Sequence, residues 1–137
     1  MSRARHLTAH ALVLGLSLGA PLAAGAQTGA ASWQSTPASI LKSVLRNVVA
    51  AQDKYRTSHP MFANTVEALH LNPGADVKVQ ILNVTSNSWR AKATHRSRPG
   101  RSCVVFVGNL SGTELPKTDG DAEVAGEERV PLCDRME

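Results

Sequence analysis

Five cationic side chains form the group in this sequence that is most suited to binding chemistry. They lie in the stretch 90–101, just ahead of a cysteine, and they are Arg90, Lys92, Arg96, Arg98 and Arg101. Cations at this density attract polyanions through charge alone, with an affinity that falls as salt rises. DNA or an acidic polysaccharide is therefore a candidate ligand here. The favoured interpretation is that the stretch is only the solvated face of a β-sheet.

An acidic stretch at 114–128 competes for the same cations. Its carboxylates are Glu114, Asp119, Asp121, Glu123, Glu127 and Glu128. If these residues fold over the basic stretch, the cations are neutralised internally and little charge is left for a partner. A calcium loop is not predicted, because Gly120, Ala122 and Val124 break the Asp-x-Asp-x-Asp-Gly pattern that such a loop requires. A solvated acidic loop is the other interpretation.

Patterns that mark catalytic or metal sites are not readable in the sequence. His59, His70 and His95 are separated by 11 and 25 residues, which does not match the spacing of metal ligands. The sequence contains neither a Gly-x-Ser-x-Gly elbow nor a glycine-rich phosphate loop. We therefore predict no catalytic residue, no metal and no cofactor. The alternative function is a small secreted hydrolase whose site residues converge only in the folded chain.

The first 26 residues have the composition of a secretory signal peptide. Arg3 and Arg5 precede an apolar run at 11–24, and Ala24-Gly25-Ala26 has the small-x-small form of a cleavage site. We expect residues 1–26 to be removed and the exported chain to begin at Gln27, in the periplasm or outside the cell. No membrane span is expected after cleavage, because no other stretch approaches the ~20 apolar residues that a span requires. An uncleaved N-terminal anchor is the alternative.

Export determines how the two cysteines are interpreted. Cys103 and Cys133 are the only cysteines of the chain, and an even number in an oxidising compartment predicts a structural disulfide. A redox-active pair is the weaker interpretation, because the two residues do not form a Cys-x-x-Cys motif.

Removing Arg3 and Arg5 leaves 13 Lys and Arg against 11 Asp and Glu, so the exported chain is close to neutral.

A long amphipathic helix is predicted at the start of a single domain spanning 37–137, after a flexible leader at 27–36. Thr36 can cap the helix and Pro37 fits its first turn, and His59 before Pro60 places the end near Ser58. The residues predicted on its apolar stripe are Ile40, Leu41, Val44, Leu45, Val48, Ala51, Gln52 and Tyr55. A second, short helix is predicted at 64–70, with Asn64 as its cap.

The second half of the domain has the alternation of an antiparallel sheet. Residues 77–81 and 89–94 alternate apolar and polar side chains. Val104 to Val107 form a continuous apolar run, which is typical of a strand that is covered on both faces or lies centrally in the sheet. Small side chains at Ala91 and Ala93 suggest that the helix packs closely over this sheet. The predicted class is α+β: one long helix on three to four antiparallel strands, followed by a C-terminal disulfide-bounded loop.

The order of these elements resembles the globular headpiece of type IV pilins and type II secretion pseudopilins. The resemblance is carried by LRNVVAAQDKYRTSHPMFANTVEAL at 45–69, WRAKATHRSRPGRSCVVFVG at 89–108 and PLCD at 131–134. The positions that match the headpiece pattern are Gln52, Tyr55, Phe62, Leu69, Trp89, Ala91, Ala93, His95, Gly100 and Cys103. The resemblance implies a helix on an antiparallel sheet and a variable loop bounded by a disulfide.

One departure from the pilin pattern limits what the resemblance implies. Pilins have a short basic leader ending in Gly, followed by Phe-Thr-Leu-Ile-Glu and a long apolar helix that builds the filament core. This sequence instead has an apolar run that ends in Ala-Gly-Ala-Gln, a general secretory cut. The expected function is therefore a secreted or periplasmic, pilin-like, non-catalytic binding or structural module, and filament membership does not follow from the fold. The candidate partners are another protein or a polyanion, and the sequence does not identify which.

Overall fold

A computed structural model of the chain describes residues 35–136, so the predicted signal peptide and most of the predicted leader lie outside the described residues. One α-helix precedes four strands: α1 at Pro37–Arg56, β1 at Val77–Leu82, β2 at Trp89–His95, β3 at Ser102–Val107 and β4 at Leu132–Cys133. The predicted α+β class, with one helix on a small antiparallel sheet, is confirmed. The helix is N-terminal only with respect to this domain, because in the whole chain it begins at Pro37.

Helix α1 begins at the residues that its sequence predicts. The Thr36 hydroxyl accepts a hydrogen bond from the Ser39 backbone N–H at 3.2 Å, and Pro37 occupies the first turn. The helix ends at Arg56, two residues before the expected Ser58. Its buried side chains are Leu41, Leu45, Val48, Val49 and Gln52. Val49 was not on the predicted stripe, and it is buried because the sheet and the segment after α1 cover a wider arc of the helix.

The four strands form one antiparallel sheet in the order β1-β2-β3-β4. Ala91 and Ala93 on β2 are buried in the same core as Leu41 and Leu45 of the helix. Trp89 fills the end of this core and is fully buried. The predicted close packing of the helix over small residues is therefore confirmed.

Strand β3 is buried on both of its faces, as its continuous apolar run predicted. Cys103, Val105 and Val107 belong to the core beneath α1. Val104 and Phe106 point the other way and form a second small core with Ala125. This second core is completed by the segment 108–131, which connects β3 to β4 and which we call the cover loop.

The short helix predicted at 64–70 is wrong in length and in its cap. Only a single 3₁₀ turn forms, at Glu67–Leu69, and it has no side-chain cap from its preceding residue. The hydroxyl of Thr65, not the side chain of Asn64, accepts the Ala68 backbone N–H, at 3.2 Å. Too few residues are available to offset the cost of starting a full helix. Across the described part of the chain, no helix has both the length and the apolar character needed to cross a membrane.

Candidate functional site

The predicted basic face lies on the outer side of the sheet, where the cover loop packs against it. Arg90 and Lys92 alternate with the buried alanines of β2 and therefore point away from α1. Lys92 Nζ forms an ion pair with Asp119 Oδ1 at 3.1 Å. The Arg90 guanidinium donates a hydrogen bond to the backbone carbonyl of Glu114. Both cations are thus engaged by the acidic stretch 114–128.

A third cation, Arg101, is engaged in the same way near the start of β3. Its Nη1 lies 2.6 Å from Asp121 Oδ1. The cover loop approaches closely at this point, since a Cβ placed on Gly120 would lie 2.6 Å from Arg101 Nη1. The backbone N–H of Arg135 and then the Arg101 guanidinium lower the pKa of Asp121 below its ordinary value.

The acidic segment is held in place by the buried carboxylate of Asp134, which is only 3% exposed. Its Oδ2 accepts the backbone N–H of Ser102 at 2.7 Å and that of Gly120 at 2.9 Å, and its Oδ1 accepts that of Asp121 at 2.6 Å. Burial alone would raise the pKa of Asp134, but these hydrogen bonds, with one from Thr118, outweigh it and lower the pKa to about 2. Asp134 is therefore ionised, and its carboxylate links β3 to the cover loop through these hydrogen bonds.

These contacts answer the question of whether the acidic stretch covers the basic strand. Asp119 pairs with Lys92 of β2, and Asp121 pairs with Arg101, which directly precedes β3. The Asp119 side chain is still exposed, whereas that of Asp121 is mostly covered. Polyanion binding by all five predicted cations stays a prediction, and three of the five have partners in the cover loop that a polyanion would have to displace.

Arg96 and Arg98 are placed differently from the other three cations. Arg96 Nη1 lies 3.2 Å from Asp76 Oδ1, but the two side chains are 76% and 54% exposed, so this pair contributes little to stability. Arg98 lies on the turn between β2 and β3 and lines a concavity of about 390 Å³. The structure thus divides the predicted patch into a covered group and a group at the end of the sheet.

The predicted disulfide between Cys103 and Cys133 is present. The two residues are also direct cross-strand neighbours of β3 and β4. Cys103 is fully buried and Asp134 follows Cys133 immediately, so the covalent bond and the carboxylate anchor the same end of the cover loop. Within residues 35–136, no group of three or more His, Cys, Asp and Glu side chains is arranged to hold a metal ion.

Two concavities contain histidines and bear on the hydrolase alternative. The first, at the end of the sheet, includes His95 and Asp76, but the Asp76 carboxylate is paired with Arg96. The second is a groove of about 750 Å³ between the end of α1 and the 3₁₀ turn, with His59 and His70 in its lining. No described carboxylate lines that groove. Neither concavity aligns a carboxylate with a histidine as a triad requires.

Asp134 is the residue of this region whose role sequence reasoning missed. The available signal was its position directly after Cys133 in the terminal PLCD stretch. A carboxylate tethered beside a buried disulfide must be close to the backbone of the strand that carries the partner cysteine.

No protein-family model matches this chain, and no curated protein matches it.

Proposed function

We propose that this chain is a secreted or periplasmic, pilin-like, non-catalytic binding or structural module. The observation that carries the proposal is the cover loop, which is fastened to the outer face of the sheet by the Cys103–Cys133 disulfide and the Asp134 carboxylate. Pilin-like headpieces present such a disulfide-bounded loop as their variable surface. A loop held this firmly offers a preorganised binding surface at low entropic cost.

Export of the chain is part of this proposal. A structural disulfide is typical of oxidising compartments, and the sequence at 1–26 has the features of a signal peptide. The disulfide joins residues 30 positions apart and closes the cover loop. The module is therefore adapted to keep its loop folded outside the reducing cytoplasm.

Photo-crosslinking in the native cells tests the binding role directly. A photoreactive amino acid replaces Val124, which is 43% exposed on the cover loop, or Ala50, which is exposed on α1 as a matched control. We expect adducts with exported macromolecules from position 124 and few from position 50. Equal labelling from both positions, or none from position 124, would contradict a binding role for the cover loop.

A hydrolase is the second candidate function, and one contact favours it. Ser97 Oγ lies 2.8 Å from His95 Nδ1, beside the concavity at the end of the sheet. A serine and a histidine at this distance are two of the three parts of a nucleophilic site. Turnover of an ester and glycoside panel by the exported protein, abolished by Ser97→Ala but not by Ser111→Ala, would support this candidate and contradict the non-catalytic proposal.

A further inference from the structure

The concavity at the end of β1 and β2 has a composition unlike the rest of the basic face. We call it the turn cleft, because the turn between β2 and β3 forms one wall. Its lining includes Lys78, Thr94, His95, Arg96 and Arg98, and its volume is about 390 Å³. Lys78 and Thr94 are cross-strand partners and share the outer face of the sheet. The cleft is therefore built on two paired strands and not on a loop alone.

The described cations of the turn cleft form no ion pairs with the cover loop, unlike Lys92 and Arg101. Three cations line it against a single carboxylate, that of Asp76, which pairs with Arg96. Among the described residues, Lys78 and Arg98 take part in no ion pair, whereas the cover loop pairs with Lys92 and Arg101. The cleft therefore has the composition of an anion site.

Arg98 is the best-positioned cation of this cleft. Its backbone N–H donates to the His95 carbonyl at 2.9 Å, and its own carbonyl accepts the Arg101 N–H at 3.2 Å, so the turn fixes its position. Its Nε is buried and has no hydrogen-bond partner within residues 35–136. Buried donors of charged groups are nearly always satisfied in folded proteins. Arg90 Nε shares this property, so the ligand is expected to contact Arg98 through the rest of its guanidinium group, since this residue lines the cleft.

His95 adds an imidazole ring to the same cleft. Its Nδ1 is engaged locally, because the backbone N–H of Ser97 donates to it at 3.2 Å. The Thr94 hydroxyl and the ring of Pro99 also line the cleft. Charged donors, neutral donors and an apolar wall together match a sugar ring that carries an acidic group.

We propose that the turn cleft binds one sugar unit with an acidic group from an acidic polysaccharide, a ligand class that deepens the binding role proposed above and rests on it. The geometry favours one compact unit over an extended DNA strand. Thr94 is followed along the outer face of β2 by Lys92, and Asp119 lies over Lys92. A phosphate backbone running along this face would meet the Asp119 carboxylate, whereas a single sugar unit ends before it.

Calorimetric titration of the disulfide-bonded protein with a sulfated tetrasaccharide from heparin tests this proposal. The cleft variant Lys78→Gln/Arg98→Gln should bind at least about tenfold more weakly, because charge-assisted hydrogen bonds are lost. The matched control Arg90→Gln/Lys92→Gln has the same change in net charge and should keep its affinity within about twofold. Amide NMR shifts on binding should centre on residues 94–100.

Three outcomes would overturn the proposal: no binding by the wild type, equal weakening of both double variants, or binding of a single-stranded DNA dodecamer at least as tight as that of the tetrasaccharide. Because Arg98→Gln can disturb the turn, Lys78→Gln alone is measured as well and should weaken binding with an unchanged melting temperature. The crosslinking from position 124 does not depend on this cleft. Adducts there without tetrasaccharide binding would leave the binding module intact and reject only the sugar ligand.

Discussion

The carboxylate of Asp134 connects the cover loop to the sheet through three backbone hydrogen bonds, to Ser102, Gly120 and Asp121. A buried anion is costly unless all of its acceptor positions are used. Here the donors are backbone N–H groups whose positions are fixed by β3 and by the disulfide beside it. The residue therefore acts as a structural anion, and its protonation state is coupled to the position of the loop.

Replacing Asp134 by Asn should lower the free energy of unfolding by about 2 to 3 kcal/mol. The amide keeps one oxygen acceptor but loses the charge, and its NH₂ group faces N–H donors. Urea denaturation of the disulfide-bonded protein measures this loss. Asp53→Asn is the matched control, because Asp53 pairs with Arg129 at an exposed position and its loss should cost less than about 1 kcal/mol. A similar loss in both variants would contradict the role assigned to Asp134.

The stability of the protein should fall in acid as Asp134 becomes protonated. Its pKa is about 2 in the folded chain and 3.8 as the ordinary value, so its contribution is complete above about pH 4 and is lost as the pH falls toward 2. Linkage gives a loss of about 2 kcal/mol over this interval. Thermal unfolding of the wild type and of Asp134→Asn between pH 5 and pH 2 would measure it. Parallel pH profiles for the two proteins would be inconsistent with this linkage.

At the scale of elements, Gln52 ties α1 to the segment that follows it. Its Nε2 donates to the Ala63 carbonyl at 2.7 Å, and its Oε1 accepts the Ala63 N–H at 2.8 Å. Gln52 is fully buried because it lies on the otherwise apolar stripe of the helix, although its side chain is polar. It therefore substitutes for secondary structure in a segment whose backbone forms only one short 3₁₀ turn.

Gln52→Leu should lower the free energy of unfolding by about 2 to 4 kcal/mol. The leucine is apolar and similar in size, but it leaves the buried N–H and C=O of Ala63 without partners. Gln80→Leu on the exposed face of β1 is the control and should change the free energy by no more than about 0.5 kcal/mol. Chemical denaturation compares the two variants. An unchanged midpoint for Gln52→Leu would show that this clamp is not required.

The Cys103–Cys133 bond should contribute roughly 3 to 4 kcal/mol to stability. The two residues are 30 positions apart, and the chain-entropy model gives this range for a loop of that length. Comparing the melting of the oxidised protein with that of Cys103→Ala/Cys133→Ala would measure it. Amide hydrogen exchange should accelerate most in the cover loop, because β4 is only two residues long. Uniform acceleration over the whole chain would argue against a local anchoring role.

At the scale of the whole molecule, β3 and part of β2 are covered on both faces by unlike partners, whereas the outer face of β1 is exposed. Helix α1 packs on one face through an apolar core, and the cover loop packs on the other through a small core and ion pairs. Of the five cations of the predicted basic stretch, the two that the cover loop does not engage, Arg96 and Arg98, line the turn cleft at one end of the described sheet. Binding of anions is therefore expected at an end of the module and not across its face.

Natively exported protein should begin at Gln27. Cleavage after Ala26 is expected because Ala24-Gly25-Ala26 fits the signal peptidase preference. Intact mass spectrometry should show this N-terminus, with or without cyclisation of the glutamine. Recovery of a chain that still carries Met1 would contradict both the cleavage and the proposed release from the membrane.

The features that the sequence predicted correctly depend on near neighbours along the chain. Thr36 and Pro37 define the start of α1 within three residues, and alternation over 77–81 and 89–94 predicts β1 and β2 to within one residue of their ends. The same local logic identified β3 as covered on both faces. The disulfide was predictable because the chain has only two cysteines. In each case the physical cause is local or unique: the alternation of side chains along a strand, a residue that caps the helix, or a cysteine that has only one other cysteine to pair with.

The division of the cations was decided by the tertiary structure alone. Lys92 and Asp119 are 27 residues apart, Arg101 and Asp121 are 20 apart, and no local pattern specifies which carboxylate reaches which cation. The anchoring role of Asp134 depends on backbone N–H groups up to 32 residues away. Ion pairs of this kind follow from how the cover loop packs on β3. The sequence therefore predicted a basic stretch, but only the folded chain shows which cations have internal partners and which are left at the turn cleft.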